Sequence, residues 1–196
     1  TCSVHLTTTF DNFFLVLLQW EEHSVVPDVI DVVPPEIIEV KYGNLIVNLG
    51  NELTPRQVKD VPEVTWRAED GAYYFLCMTD PDAPSRANPT AGQIRHWLVG
   101  NIPGNKIEEG ETFAEYVGSG PPKDSGLHRY IFLVYKQPGK INFDEPYISN
   151  KPRNPQRRNF SIKEFAQKYN LGNPVAGNFY QAQYDDYARI YEHIRP

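Results

Sequence analysis

Residues 72–86 read Ala72-Tyr-Tyr-Phe-Leu-Cys-Met-Thr79-Asp-Pro-Asp-Ala-Pro-Ser-Arg86 and pass from an apolar run directly into a polar segment with two prolines. A second run, Tyr130-Ile-Phe-Leu-Val-Tyr135, has the same apolar character. Both runs are apolar on both faces, which is typical of strands that lie inside a sheet covered on each side. We therefore expect them to be central strands of a β-sandwich.

Shorter runs rich in β-branched and aromatic residues occur elsewhere and are separated by seventeen prolines and thirteen glycines spread along the chain. This alternation favours a mainly β domain with many loops. The predicted strands cover residues 37–42, 45–47, 63–66, 73–79, 96–101, 112–116 and 129–136.

Helix signals are few and lie towards the chain ends, so we expect helices at the periphery of a sheet core. Ser161 followed by Glu164 is the capping-box pattern and predicts a helix that runs to about Tyr169. A C-terminal helix is predicted over residues 184–193, where tyrosines and an alanine recur at helical spacing.

The chain of 196 residues fits one domain, which we place at residues 21–196. Residues 1–20 show no convincing period and are expected to form an N-terminal extension of uncertain order. The longest apolar stretch near the start, residues 13–18, is too short for a membrane span or a signal-peptide core. Cys2 and Cys77 are far apart and look like free thiols of a reducing compartment, so we expect a cytoplasmic protein. We expect a monomer because no predicted strand has the pattern of an exposed apolar edge.

The net charge of −6 and the isoelectric point near 5.4 argue against nucleic acid as a partner, because the protein repels polyanions. One segment is locally basic and contains no acidic residue. It holds Lys151, Arg153, Arg157, Arg158 and Lys163. The segment suits either a solvated connection or a docking patch for an acidic or phosphorylated partner.

Two polar segments follow or precede the apolar runs and are candidates for a binding site. The first places Asp80 and Asp82 among prolines, which make a rigid loop at a strand end. The same residue types also suit an ordinary turn. The second, Gly118-Ser-Gly-Pro-Pro-Lys-Asp-Ser-Gly-Leu-His128, has glycines that allow backbone N–H groups to converge on an anion. His128 ends that segment and His96 opens another predicted strand, so an anion site is the leading interpretation.

Two other chemistries fit these residues less well. Asp80, Asp82, His96 and His128 are all metal-ligand types, but no spacing matches a helical or knuckle-type ligand pair. A serine hydrolase would use Ser119, which lacks the Gly-x-Ser-x-Gly elbow and is followed by prolines.

The two polar segments, together with Pro174-Val-Ala-Gly177, Tyr180-Gln and Asp185-Asp-Tyr187, resemble the phosphatidylethanolamine-binding family. This family includes the Raf kinase inhibitor proteins and the plant flowering regulators, and the spacing is similar to that of the animal branch. The resemblance implies an antiparallel, Greek-key-like β-sandwich with marginal helices and a ligand pocket closed by the C-terminal helix. Carried over by position, it implies a non-metal binding site at Asp80, Pro84, His96, Gly120, Pro122, His128, Tyr130 and Tyr191.

The resemblance implies a non-enzymatic protein without a cofactor that binds phosphatidylethanolamine or another phosphorylated or anionic ligand. It also implies a modulatory role towards a protein kinase or a membrane surface. Serine protease inhibition is the alternative, followed by a phosphoester-acting enzyme that would use Asp80, His96 and His128. Residues 91–96 depart from the aromatic-rich family pattern. Because Ala91 and Ile94 replace part of the aromatic wall there, we expect an altered ligand preference.

Overall fold

The computed structural model describes residues 15–151 and 154–188. The strands within these ranges are β1 Glu36–Ile37, β2 Glu39–Tyr42, β3 Leu45–Ile46, β4 Glu63–Thr65, β5 Tyr73–Ala83, β6 Gly92–Pro103, β7 Glu111–Ala114, β8 His128–Lys136 and β9 Ala176–Ala182. The α-helices are α1 at residues 15–22, α2 at Val25–Asp28 and α3 at Ile162–Lys168, and residues 186–188 are also helical. Short 3-10 helices cover Ile107–Glu109 and Pro155–Arg157. No described helix is long and apolar enough to cross a membrane.

The strands form a six-stranded sheet, ordered β1-β9-β8-β5-β6-β7, and a three-stranded sheet, ordered β3-β2-β4. The two apolar runs identified in the sequence are β5 and β8, which pair antiparallel at the centre of the large sheet. The prediction that they are central strands is therefore confirmed.

The large sheet is buried on both faces because side chains of β5 and β8 alternate between two cores. On one face Leu76 and Phe132 pack against apolar residues of the small sheet, including Val40. On the other face Phe75 packs with Trp20 of α1 and with further apolar residues of α3. This arrangement is the predicted mainly β sandwich with helices at its margin.

The sheet is not wholly antiparallel, which corrects the expectation from the family resemblance. β1 pairs with β9 in parallel, with Glu36 opposite Ala176. The predicted single strand at residues 37–42 is in fact two strands, because the chain crosses between the sheets at Ile38, whose N–H bonds to the carbonyl of Gly177 at 3.2 Å.

Helices α1 and α2 and strand β9 were absent from the sequence-based prediction. Helix α1 crosses the proposed boundary at residue 20, and its Trp20 is only 1% exposed. Strand β9 contains Asn178, a polar residue that interrupts the apolar pattern, but its amide bonds to the carbonyls of Ile38 and Val47. The helix predicted after Ser161 is confirmed, since the Ser161 hydroxyl accepts a bond from the Glu164 N–H. Most of the helix predicted at residues 184–193 lies outside the described residues.

Candidate functional site

A cavity of about 470 Å³ lies where β5 passes into the Asp-Pro-Asp segment and where β8 begins. It is lined by seven of the eight residues carried over from the family resemblance: Asp80, Pro84, His96, Gly120, Pro122, His128 and Tyr130. Tyr191, the eighth, lies outside the described residues. The structure thus brings the seven together, and their role in binding a ligand stays a prediction.

Register shifts between β5 and β6 shape this end of the sheet. They occur between Met78 and Thr79 and between Asp80 and Ala83. Such irregularities re-aim side chains and interrupt regular pairing, and they are frequent beside functional sites. Here they accompany the change from a buried apolar strand to the polar wall of the cavity.

The Asp80 carboxylate holds the ring of His128 on the cavity wall. Its Oδ2 lies 2.9 Å from His128 Nδ1, and its Oδ1 accepts the N–H of Asp82 at 2.7 Å. Both side chains are almost fully buried. Asp80 therefore orients a histidine, and both of its oxygens are engaged within the protein.

The other ring nitrogen of His128 contacts a serine that the sequence analysis did not single out. Nε2 lies 3.0 Å from Ser125 Oγ, and that hydroxyl donates to the carbonyl of Pro122 at 2.7 Å. The contact of Nε2 with Ser125 and that of Nδ1 with Asp80 together engage both ring nitrogens of His128 within the protein.

Ser125, His128 and Asp80 are connected in the order of a serine-hydrolase triad, but the serine hydroxyl also bonds to a backbone carbonyl. A triad serine gives its proton to the histidine, whereas Ser125 gives it to a backbone carbonyl. Ser119, the serine considered in the sequence, bonds to the Tyr180 hydroxyl at 2.6 Å instead of to a histidine. Neither serine is therefore arranged as an activated nucleophile.

His96 differs from His128 because one of its nitrogens remains available to a ligand. Its Nδ1 donates to the carbonyl of Val117 at 2.8 Å, and the ring lines the cavity. Burial lowers the pKa of His96 below its ordinary value, and the charges of Arg157 and His128 act in the same direction. His96 is therefore neutral in the empty pocket at neutral pH, and its Nε2 can accept or, after gaining a proton, donate.

Tyr130 stands between the two histidines. Its ring meets His96 edge-on at a centroid distance of 5.1 Å and stacks on Tyr180 at the same distance. Burial raises the pKa of Tyr130 well above its ordinary value, as does the nearby Asp80 charge. The phenol therefore remains protonated and can donate a hydrogen bond.

The glycine-rich segment forms one wall of the cavity, and its three glycines have different structural roles. Gly118 and Gly120 line the cavity, whereas Gly126 has a φ of +79° that favours glycine. A Cβ on Gly118 would lie 2.5 Å from the carbonyl oxygen of Val58. Close packing therefore requires Gly118, and a nest built from all three glycines is not what the structure shows.

Asp82, the second carboxylate of the first polar segment, does not line the cavity and pairs with Arg129. Its two oxygens accept from Arg129 Nη2 at 2.6 Å and from Nε at 2.9 Å. Arg129 Nη1 reaches the carbonyls of His23 and Ser24 and the carboxylate of Asp28. This buried pair fixes the N-terminal helices to the sheet beside the cavity.

The basic segment divides between the cavity wall and the rest of the surface. Lys151 and Arg158 are exposed and line the cavity, whereas Lys163 pairs with Asp31 at 2.6 Å. Arg157 is buried and also lines the cavity. Arg153 lies outside the described residues. The segment is therefore not one uniform docking patch.

Arg157 is a second residue that the sequence did not distinguish from its neighbours. Its Nη1 donates to the carbonyls of Arg95 (2.7 Å) and His96 (3.4 Å), and its Nη2 to those of Glu115 (2.7 Å) and Ser149 (2.9 Å). The residue gathers several segments around the cavity and places a positive charge in its wall. Only its position in an acid-free basic segment hinted at this role.

Among the described residues, no three His, Cys, Asp or Glu side chains form a group that could hold a metal ion. The apolar part of the cavity includes Ala91 and Ile94, the two residues that depart from the family pattern. Arg95 beside them lies over the ring of Phe160, 5.0 Å from its centroid.

Comparison with known proteins gives consistent likenesses. The family model described as phosphatidylethanolamine-binding protein matches residues 38–181. A curated protein of Drosophila melanogaster named "Putative odorant-binding protein A5" is 42% identical over 170 residues, which cover 85% of this chain and 80% of that protein.

Solved structures share the fold. The solution structure of CG7054 is 51% identical, with a TM-score of 0.70, and the match covers 86% of this chain and 96% of that one. A carboxypeptidase Y inhibitor, solved with its cognate proteinase, is 26% identical with a TM-score of 0.75, over 87% and 96% of the two chains. These likenesses agree with the resemblance found in the sequence.

Proposed function

The chain belongs to the phosphatidylethanolamine-binding protein family, and from this premise we propose that its cavity binds a small phosphorylated or anionic ligand. The phosphatidylethanolamine head group is the leading candidate. The observation that carries the proposal is an excess of positive charge around the cavity of an otherwise acidic protein.

The charges around the cavity support an anion rather than a cation. Lys151, Arg157 and Arg158 line it, while the Asp80 carboxylate is already paired with His128. The whole chain carries a formal charge of −6, so this local excess opposes the general trend. A phosphate in the cavity would be attracted by these three cations, while the Asp80 carboxylate is already paired with His128.

The neutral groups of the cavity support a ligand with a polar head and an apolar part. His96 and Tyr130 line the cavity, and we propose that His96 Nε2 and the Tyr130 hydroxyl bind the head group by hydrogen bonds. Pro84, Ala91 and Ile94 provide apolar surface beside them. We propose that these last two residues alter the head-group preference relative to aromatic-rich relatives. An Ile94→Trp variant with an unchanged order of affinity for a phospholipid series would contradict that part of the proposal.

Calorimetric titration with phosphoethanolamine, inorganic phosphate and ethanolamine tests the proposed ligand class. We expect the two phosphates to bind and ethanolamine alone to bind much more weakly. Arg158→Ala should weaken phosphate binding by about fivefold to tenfold, because it removes an exposed cation from the cavity mouth. Lys140→Ala is the matched control, since Lys140 is equally exposed and does not line the cavity. Equal effects of the two variants would argue against an anion in this cavity.

As part of the same proposal, we expect the protein to act by binding and not by catalysis, as a cytoplasmic monomer that modulates a protein kinase or a membrane partner. Support for binding comes from the relatives, whose names describe binding proteins and an inhibitor. The hydrogen bonds of Ser119 and Ser125 described above also favour binding over a phosphoester-acting enzyme, because neither serine is arranged as an activated nucleophile. Turnover of a generic phosphoester that is lost in His128→Ala would refute this view.

Peptidase inhibition is a second candidate, favoured by one observation. The inhibitor of carboxypeptidase Y shares the fold at 26% identity, with coverage of nearly its whole length. Inhibition assays with carboxypeptidase Y and with a chymotrypsin-type protease would distinguish this function from ligand binding. Inhibition that survives Arg158→Ala would place the inhibitory surface outside the cavity.

A further inference from the structure

Ser125 connects two residues of the cavity wall although it does not itself belong to that wall. Its hydroxyl donates to the carbonyl of Pro122 at 2.7 Å and lies 3.0 Å from His128 Nε2. Pro122 and His128 both line the cavity. The backbone reinforces this link, because the Ser125 N–H also bonds to the Pro122 carbonyl at 3.2 Å.

We propose that Ser125 is a positioning residue for the anion site, acting through His128, an inference that rests on the function proposed above. The Ser125 hydroxyl contacts Nε2 of His128, while the Asp80 carboxylate contacts Nδ1. Together they fix the ring in one orientation. His128 therefore contributes its ring surface to the cavity, while His96 supplies the nitrogen that contacts the ligand.

Ser125 lies in a tight turn between two residues with left-handed backbone conformation. Asp124 and Gly126, its two neighbours, have φ values of +64° and +79°, in the left-handed region. The left-handed region is less favourable for an Asp than for a glycine. The turn that results carries the hydroxyl to the ring of His128, three residues further along the chain.

The mechanism has a consequence for binding that a general packing role would not have. Without the hydroxyl, the buried Nε2 of His128 loses its hydrogen-bond partner, and only the contact with Asp80 still orients the ring. The part of the cavity wall that His128 presents to a phosphate is then less well ordered. Threonine at this position keeps the hydroxyl and should preserve the contact, whereas alanine removes it.

The test compares Ser125→Ala and Ser125→Thr in the full chain by imidazole ¹⁵N–¹H NMR without ligand and by calorimetric titration with inorganic phosphate. In Ser125→Ala we expect the His128 Nε2 resonance to move and phosphate affinity to fall about tenfold. Ser125→Thr should restore both. Ser119→Ala removes the other hydroxyl of the loop, which contacts Tyr180, and should leave the His128 Nε2 signal in place.

Two outcomes would overturn the inference, and they are distinct from failure of the proposed function. Unchanged His128 signals in Ser125→Ala would show that the hydroxyl does not hold the ring. A loss of phosphate affinity that threonine does not restore would assign the effect to packing. If the natural protein itself binds no phosphate, the proposed function fails, whatever the ring signals show.

Discussion

Replacing Asp82 by Asn should destabilise the protein strongly, because Asp82 is the buried partner of a buried arginine. The Arg129 side chain is 3% exposed and that of Asp82 is 2% exposed. Two of the guanidinium N–H groups end on the Asp82 carboxylate, and the Arg129 backbone N–H bonds to it as well. An Asn keeps the shape but removes the charge and turns an NH₂ group towards these donors.

The expected loss follows from what the change leaves behind. Breaking a buried ion pair by removing one partner costs about 3–5 kcal/mol, because the remaining charge is uncompensated. For a domain of this size, each kcal/mol corresponds to about 2–4 °C in Tm. We therefore expect Asp82→Asn to lower the Tm by about 10 °C or more, measured by circular dichroism at neutral pH.

Asp28 provides the matched control because it binds the same arginine from the surface. Its carboxylate lies 2.9 Å from Arg129 Nη1, and its side chain is 47% exposed. Exposed ion pairs contribute at most about 1 kcal/mol. Asp28→Asn should thus shift the Tm by no more than about 4 °C. Similar shifts for the two variants would refute the reasoning that burial decides the energy of this network.

Three further outcomes are expected. Sulfate, which does not titrate near neutrality, should bind more weakly as the pH rises from about 5 to 8. The reason is that His96 has a lowered pKa and must gain a proton before it can donate to an anion. Calorimetry would show a sulfate affinity independent of pH if His96 takes up no proton. Ser161→Ala should cost about 1 kcal/mol in urea unfolding, since it removes the N-cap bond of α3, and an unchanged midpoint would contradict that role. Gly100→Ala should lower the free energy of unfolding by about 1–3 kcal/mol, because its Cβ would lie 2.7 Å from Phe143 Cε2. Gly139→Ala should be nearly neutral, because no atom lies within 4 Å of its Cβ. Equal stabilities of the two variants would exclude a clash at Gly100.

The central strands could be predicted from sequence because both of their faces are buried, which makes successive residues apolar. In β5 and β8, Leu76, Met78, Phe132 and Val134 belong to one core, and Phe75, Cys77, Ile131 and Leu133 belong to the other. β9 lies beside them but was not predicted, because Asn178 satisfies its polar groups with backbone carbonyls of residues far away in the chain. Such compensation depends on tertiary contacts that no local pattern contains.

The site residues were predictable to the extent that they are chemically unusual. Histidines and paired carboxylates next to prolines stand out in any sequence, and Asp80, His96 and His128 do line one cavity. Ser125 and Arg157 did not stand out. A serine in a polar loop and an arginine in a basic segment are ordinary, and their roles come only from the carbonyl groups that the fold brings to them.

The way in which Arg157 is bound bears on how this cavity can diversify among relatives. Its guanidinium contacts main-chain oxygens of Arg95, His96, Glu115 and Ser149, and every amino acid supplies such an oxygen. Substitutions at these four positions, of which His96 lines the cavity, can therefore change the side chains around Arg157 while the arginine keeps its bonds. Arg157 itself cannot vary in this way. Two of its guanidinium nitrogens bind the four main-chain oxygens, whereas a lysine has only one donor nitrogen. Variation should thus accumulate around Arg157 and spare Arg157 itself.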